Sequence, residues 1–200
     1  MRIVGLLIVC LALSGCDNLV TEQPLLAKSA RAPQLREGVW VTGPDKRCLI
    51  DAGKSAGRRT ACTSDLALVT GDTIAGLDEP GKPPTSYRLA SGSPIIAQID
   101  LSDPSTGPEF YYGGLEPVRF GRDGKITAFR AWPVLCGPPG KPDSRRALEG
   151  PPTAKLFPGL TRLPGKPKGC TTRSVDVARV AAMRSRRVSP PSEAHWIRDR

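Results

Sequence analysis

Short apolar or alternating runs, bounded by Gly, Pro, Asp or Ser, fill the sequence from Gly38 to Trp132. Short runs that alternate between apolar and polar residues are typical of β-strands joined by turns. The predicted strands are residues 38–42, 47–51, 66–70, 86–90, 95–101, 116–120 and 126–132. The pattern therefore predicts a mainly β fold, either a small antiparallel β-barrel or an antiparallel sheet.

The last two of these runs form the clearest predicted hairpin. Their turn, residues 121–125, contains Asp-Gly, which is the strongest short-range hairpin signal when it lies between alternating runs. The alternation places Phe120 and Ile126 on the buried face, and Arg119 and Arg130 on the exposed face. The predicted core comprises Trp40, Leu49, Leu68, Ile96, Ile99, Phe120, Ile126 and Phe129.

Residues 137–169 are rich in proline and glycine, which forbid regular helix and inner strands. This segment is predicted to be a long loop held by the cysteines that flank it. A single C-terminal helix is predicted over residues 174–186, with Ser174 as its N-cap and Asp176 in its first turn. Residues 194–197 form a short apolar end that is predicted to dock back on the domain.

The first residues have the order of a secretory signal. One positive charge, at Arg2, precedes the apolar run 3–13 and a pair of small residues. The run is shorter than the roughly 20 apolar residues that a helix needs to span a bilayer. We therefore expect an export segment that is removed, rather than a permanent anchor.

The exit from this segment, Leu13-Ser14-Gly15-Cys16, resembles the lipobox of bacterial lipoproteins. The resemblance implies that the sulfur of Cys16 carries a diacylglyceryl group, that cleavage precedes Cys16, and that the freed amine is acylated. Several acyl chains on one residue would hold a protein stably at a membrane. The expected location is the bacterial cell envelope, lipid-anchored and facing the periplasm. Asp17 resembles the inner-membrane retention signal of enteric bacteria, but the choice between inner and outer membrane remains open.

These features divide the chain into five predicted parts. They are a signal peptide (1–15), a lipidated tether (16–36), a β domain (37–136), a Pro/Gly-rich loop (137–169), and a C-terminal helix with a tail (170–200). The tether is predicted because its short apolar pairs alternate with polar and small residues without a clear period.

Four cysteines remain in the mature chain besides Cys16: Cys48, Cys62, Cys136 and Cys170. An even number in an oxidising compartment predicts two disulfides, for which three connectivities are possible. Sequential pairing, Cys48 with Cys62 and Cys136 with Cys170, is the simplest. No C-x-x-C occurs and only one histidine is present, so neither a metal nor a redox cofactor is predicted.

The formal charge of +10 would suggest nucleic acid as the partner of a cytosolic protein. Export removes nucleic acid from reach, and the few aromatic residues are not interleaved with the basic ones. The predicted partners are the membrane through the lipid anchor and, through charge, anionic lipid headgroups or acidic envelope polymers. A solvated basic surface without a partner is the simpler alternative.

Support for catalysis is weak in the sequence. His195 is the only histidine and lies near the C-terminus, and no lysine follows a serine at the spacing of an S-x-x-K motif. Phosphate-loop and dinucleotide fingerprints are absent. We therefore expect a non-catalytic structural or binding module, with a hydrolase as the less favoured alternative.

Two resemblances extend into the mature domain. Gly38-Val39-Trp40 resembles the G-x-W opening of the lipocalin first strand, which implies a barrel that carries an apolar ligand in a cavity. The same motif, followed by Cys48, Cys62 and the late hairpin, is similar to bacterial periplasmic inhibitors of metalloproteases. That resemblance implies a filled, disulfide-closed barrel and a free segment that reaches into an active site. The simplest alternative is that Trp40 is a core aromatic at the start of a strand.

Overall fold

The computed structural model describes residues 17–29, 31–42, 66–77, 81–105, 107–138, 155–164 and 169–199. Of the predicted site residues, Cys16, Cys48 and Cys62 lie outside these ranges, as does Leu49 of the predicted core. The strands are β1 (Val20–Thr21), β2 (Gly38–Thr42), β3 (Leu66–Thr70), β4 (Thr73–Gly76), β5 (Thr85–Ala90), β6 (Ile95–Asp100), β7 (Phe110–Phe120), β8 (Ile126–Pro133), β9 (Thr161–Arg162), β10 (Cys170–Thr171) and β11 (Ser192–Arg198). The helix α1 spans Val175–Ser185.

Eight strands form a closed antiparallel β-barrel. Strands β2 to β8 pair in chain order, each with the next, and β11 pairs with both β8 and β2 to close the ring. The short strand β1 lies outside the ring and pairs with β7, and β9 pairs with β10 in a separate two-stranded sheet. The prediction of a mainly β fold with one helix near the C-terminus is confirmed.

The two ends of the barrel differ. One end, which we call the turn end, carries the short connections β3–β4, β5–β6 and β7–β8. Strand β8 leaves this end at Ile126 and reaches Pro133 at the opposite end, and Cys136 follows three residues later. We call the opposite end the disulfide end. At about 3.3 Å per residue, the eight residues of β8 separate the two ends by about 26 Å.

The interior of the barrel is filled by its own side chains. Trp40 and Phe129 lie at its centre, with ring centroids 5.3 Å apart, and both are 1% exposed or less. The interior cluster also contains Leu35, Ala67, Val69, Tyr87, Leu89, Ile95, Ala97, Ile99, Leu115, Ile126, Ala131 and Ala194. Filling of this kind is usual for eight strands, because such a ring is only wide enough for side chains or one small ligand.

A second apolar layer covers the outer face of β6, β7 and β8. Ile96 and Tyr112 point outward from the barrel, yet both are fully buried, because α1 and the N-terminal segment pack over them. The helix begins as predicted, since the Oγ of Ser174 accepts a hydrogen bond from the backbone nitrogen of Val177 at 3.3 Å. Gly114 of β7 lies under Trp132, where an added Cβ would be 2.5 Å from Cε2 of the indole. Close approach of β7 to this ring therefore requires glycine.

Helix α1 has 11 residues, and no helix among the described residues is long and apolar enough to cross a membrane.

The N-terminal segment is packed on the barrel, which differs from the predicted tether. Its backbone pairs with the wall, for example through the nitrogen of Leu19 and the carbonyl of Val134 at 2.8 Å. Leu19, Leu26 and Leu35 are between 0% and 4% exposed. The short apolar pairs that lack a helical period therefore serve as contacts with the barrel, because their leucines fill gaps along its wall and at its turn end.

The structure differs from three further predictions. Phe120 was predicted to lie in the core, but it is 58% exposed, because bulges in β7 break the alternation before it. Leu68 is only partly buried. The tail was predicted only to dock back, whereas it forms β11, a full strand of the barrel.

Candidate functional site

A shallow groove at the turn end combines one exposed and one half-buried aromatic ring with arginines. It has a volume of about 690 Å³. We call it the aromatic–arginine groove and define it by Arg36, Arg119, Phe120, Arg122 and Trp196. Surfaces that bind other molecules are enriched in aromatic residues and arginine.

The exposure of Phe120 follows from the irregular end of β7. The register of β7 against β8 shifts between Pro117 and Arg119 and again between Arg119 and Phe120. Such bulges re-aim side chains, and the proline contributes no N–H to the ladder. Ile126, the cross-strand partner of Phe120, stays fully buried. The bulges therefore leave an aromatic ring on the surface, next to Val118, which is 47% exposed.

Trp196 is held in a fixed position on the other side of the groove. Its Nε1 donates a hydrogen bond to the carbonyl oxygen of Glu37 at 2.9 Å. The guanidinium of Arg36 lies 4.0 Å from the centre of the indole and 3.4 Å from the carboxylate of Asp199. Because both groups are fixed by several contacts, this side of the groove is organised before any partner arrives.

Arg119 and Arg122 are the other two arginines of the groove, which Asp123 also lines. The Nε of Arg119 donates to the hydroxyl of Thr127 at 3.3 Å, and Arg122 lies in the exposed β7–β8 turn. Within the described part of the chain, neither guanidinium forms an ion pair. The carboxylate of Asp123, beside Arg122, accepts a hydrogen bond from the backbone nitrogen of Lys125 at 3.2 Å. Two guanidinium groups without an ion pair, beside an apolar ring, can bind carboxylate or phosphate groups through hydrogen bonds.

In a second pocket at the turn end, of about 260 Å³, the charged side chains bind other groups of the protein itself. Lys28 is 2.9 Å from the carboxylate of Asp72, and this hydrogen bond and charge lower the pKa of Asp72. Arg88 donates to the backbone carbonyl of Leu26 at 2.6 Å. Burial raises the pKa of Tyr87, so its hydroxyl stays a neutral donor. These groups hold the N-terminal segment on the barrel, which is a structural role.

The structure brings together one pair of the predicted cysteines. Cys136 and Cys170 form a disulfide, with Cα atoms 5.6 Å apart, which confirms this half of the predicted pairing. The pairing of Cys48 with Cys62 and the lipidation of Cys16 stay predictions.

Groups suited to catalysis are sparse in the described ranges. His195 lies on β11 with its Nε2 3.3 Å from the carboxylate of Glu193. No group of three or more His, Cys, Asp or Glu side chains within these ranges could hold a metal ion. The sequence does contain Gly53-Lys54-Ser55-Ala56-Gly57, which fits the G-x-S-x-G spacing of a nucleophile elbow. That segment lies outside the described residues.

Comparison with known proteins gives no matching family model, no matching curated protein and no matching solved structure. The function is therefore argued from the sequence and from the geometry of the described residues.

Proposed function

We propose that this protein is a lipid-anchored, non-catalytic module of the bacterial envelope that binds an acidic partner through the aromatic–arginine groove. The observation that carries the proposal is the exposed ring of Phe120 between Arg119 and Arg122. Neither guanidinium has a carboxylate partner within the described ranges. Because 58% of the Phe120 side chain is exposed, contacts within the protein do not explain why this apolar ring lies at the surface. Exposed aromatic and arginine side chains in one patch are typical of binding surfaces.

The filled barrel supports binding at the outer surface. A carrier of apolar ligands needs an interior cavity of several hundred Å³, whereas Trp40, Phe129 and their neighbours occupy the centre of this barrel. The lipocalin-like alternative is therefore less well supported than surface binding.

The packing of the N-terminal segment argues against an inhibitor that acts through this segment. An inhibitor of the expected kind acts through a free segment, but residues 17–21 and 34–36 are tied to the barrel by backbone hydrogen bonds, and Leu26 between them is buried. An inhibitor that used the exposed hairpin at residues 117–125 would still be compatible with this surface. Such an inhibitor would be one form of the proposed binding module.

The anchor is tested by replacing the acylated residue. We expect the mature wild-type protein to start at Cys16, to carry acyl chains and to fractionate with membranes. Because serine offers no thiol for the diacylglyceryl group, the Cys16→Ser variant should lack the acyl mass. It should either be absent from the membrane fraction or retain the uncut signal peptide. Intact-mass spectrometry and membrane fractionation measure both outcomes. A mature wild-type protein without acyl mass would contradict the proposed anchor.

The groove is tested by charge reversal with a matched control. We expect Arg119→Glu/Arg122→Glu to weaken binding of poly-L-glutamate by about tenfold or more. Each charge removed contributes about 1 kcal/mol of attraction near 4 Å in water, and about 1.4 kcal/mol corresponds to tenfold. Isothermal titration calorimetry at fixed ionic strength provides the measurement.

The control is Arg31→Glu/Arg187→Glu, which makes the same change of net charge at exposed positions outside the groove. Equal weakening by both double variants would show only a diffuse charge effect and would contradict the groove. Labelling of Ser55 by a fluorophosphonate reagent would contradict the non-catalytic part of the proposal.

A further inference from the structure

The chain enters the described structure at a fixed place on the disulfide end. Asp17 is 1% exposed, its carbonyl accepts a hydrogen bond from the nitrogen of Cys136 at 2.8 Å, and its carboxylate pairs with Arg162 at 2.5 Å. Asp17 is therefore fixed against the barrel wall beside the disulfide, and consecutive Cα atoms in any chain are only about 3.8 Å apart.

One basic side chain contacts this entry point, and three others belong to the segments next to it in the chain. Arg162 contacts Asp17 directly, and Arg184 lies 5.7 Å from the ring centre of Phe157, whose nitrogen bonds to the carbonyl of Cys136 at 2.7 Å. Lys155 and Arg173 are exposed and lie two residues before Phe157 and three residues after Cys170. The acidic residue next along the chain, Asp176, is paired with Arg179 at 2.6 Å.

We propose that the basic face formed by Lys155, Arg173 and Arg184 rests on the membrane and binds the headgroups of anionic lipids. The proposal rests on the lipid anchor at Cys16, because acyl chains on that residue would hold this face within a few ångströms of the bilayer. At that distance screening by salt is small. Each basic residue then favours an anionic surface by about fivefold.

The orientation has a consequence for the groove. The turn end lies about 26 Å from the disulfide end along β8, so a membrane at the disulfide end leaves the aromatic–arginine groove facing away from the bilayer. The two basic surfaces of the barrel then have different partners, lipid at one end and an acidic partner at the other.

Lysine footprinting tests the orientation in the acylated protein. The protein is reconstituted into phosphatidylglycerol vesicles and treated with a water-soluble amine reagent, and labelling of each lysine is measured by mass spectrometry. The reference is the mature chain carrying Cys16→Ser, labelled without lipid. We expect Lys155 to be labelled about fivefold or more slowly in the vesicles, while Lys28 and Lys125 at the turn end change by less than about twofold.

A variant separates the basic face from the anchor. Arg173→Glu should reduce the protection of Lys155, whereas Arg122→Glu, the same change at the turn end, should leave it intact. Protection of Lys125 instead of Lys155, or equal labelling of all three lysines in acylated protein, would overturn the proposed face. A protein without acyl groups would contradict the anchor alone. In that case, co-sedimentation of the unacylated protein with phosphatidylglycerol vesicles would still test the basic face. The basic face is supported only if Arg173→Glu abolishes co-sedimentation and Arg122→Glu does not.

Discussion

Replacing Phe129 by alanine is expected to lower the free energy of unfolding by about 3–5 kcal/mol, as found for aromatic residues in packed cores. Phe129 is 1% exposed, and its ring lies 5.3 Å from that of Trp40 at the centre of the barrel. Truncation removes the buried apolar area and leaves a cavity that the surrounding strands cannot close. Urea unfolding followed by tryptophan fluorescence gives the difference in stability.

The control for this variant is Phe120→Ala in the same hairpin. Because Phe120 is 58% exposed, its truncation should change stability by less than about 1 kcal/mol. A loss for Phe129→Ala that is no larger than the loss for Phe120→Ala would contradict the filled interior. A gain of apolar-dye binding by Phe129→Ala alone would support it, since an emptied core can accept a small apolar molecule.

Strands bounded by turn residues were predictable because their signals are local. The run 66–70 was predicted and forms β3 (Leu66–Thr70), and the Asp-Gly turn joins β7 to β8 as expected. The C-terminal helix was equally predictable, because its N-cap residue, Ser174, lies directly before it in sequence. In each case the residues that determine the element belong to the element or flank it.

Elements that depend on distant partners were missed. Strand β11 (Ser192–Arg198) carries Glu193, His195 and Arg198 between apolar residues, so its local signal is weak. It is a strand because β8 and β2 each need a neighbour to close the ring. Strand β1 has two residues and exists only through its pairing with β7. Closure of a barrel is a property of the whole chain and leaves little trace in any one segment.

The aromatic–arginine groove could not be predicted for two reasons. Phe120 alternates with Arg119 in a way that normally signals a buried face, and only the bulges after Pro117 reverse that assignment. The other side of the groove joins Arg36 from the N-terminal segment to Trp196 from β11. Residues so far apart in sequence have no spacing that a motif could describe. The one local signal was Pro117 itself, since proline within a strand indicates a bulge or an edge.

Removing the Cys136–Cys170 disulfide is expected to cost about 4 kcal/mol, nearly as much as emptying the core. Loop-closure entropy gives this value for the 34-residue separation between Cys136 and Cys170. The bond also fixes the place where the chain enters the domain, because the nitrogen of Cys136 bonds to the carbonyl of Asp17. The variant is Cys136→Ala/Cys170→Ala, and urea unfolding under non-reducing conditions measures the loss.

The same variant tests the pairing of the remaining cysteines. Non-reducing peptide mapping should find Cys48 joined to Cys62 in both the wild type and the double variant, because sequential pairing leaves that bond independent of the second. Discovery of free thiols at both positions would contradict this part of the prediction. A stability loss below about 1 kcal/mol would contradict the assigned role of the disulfide.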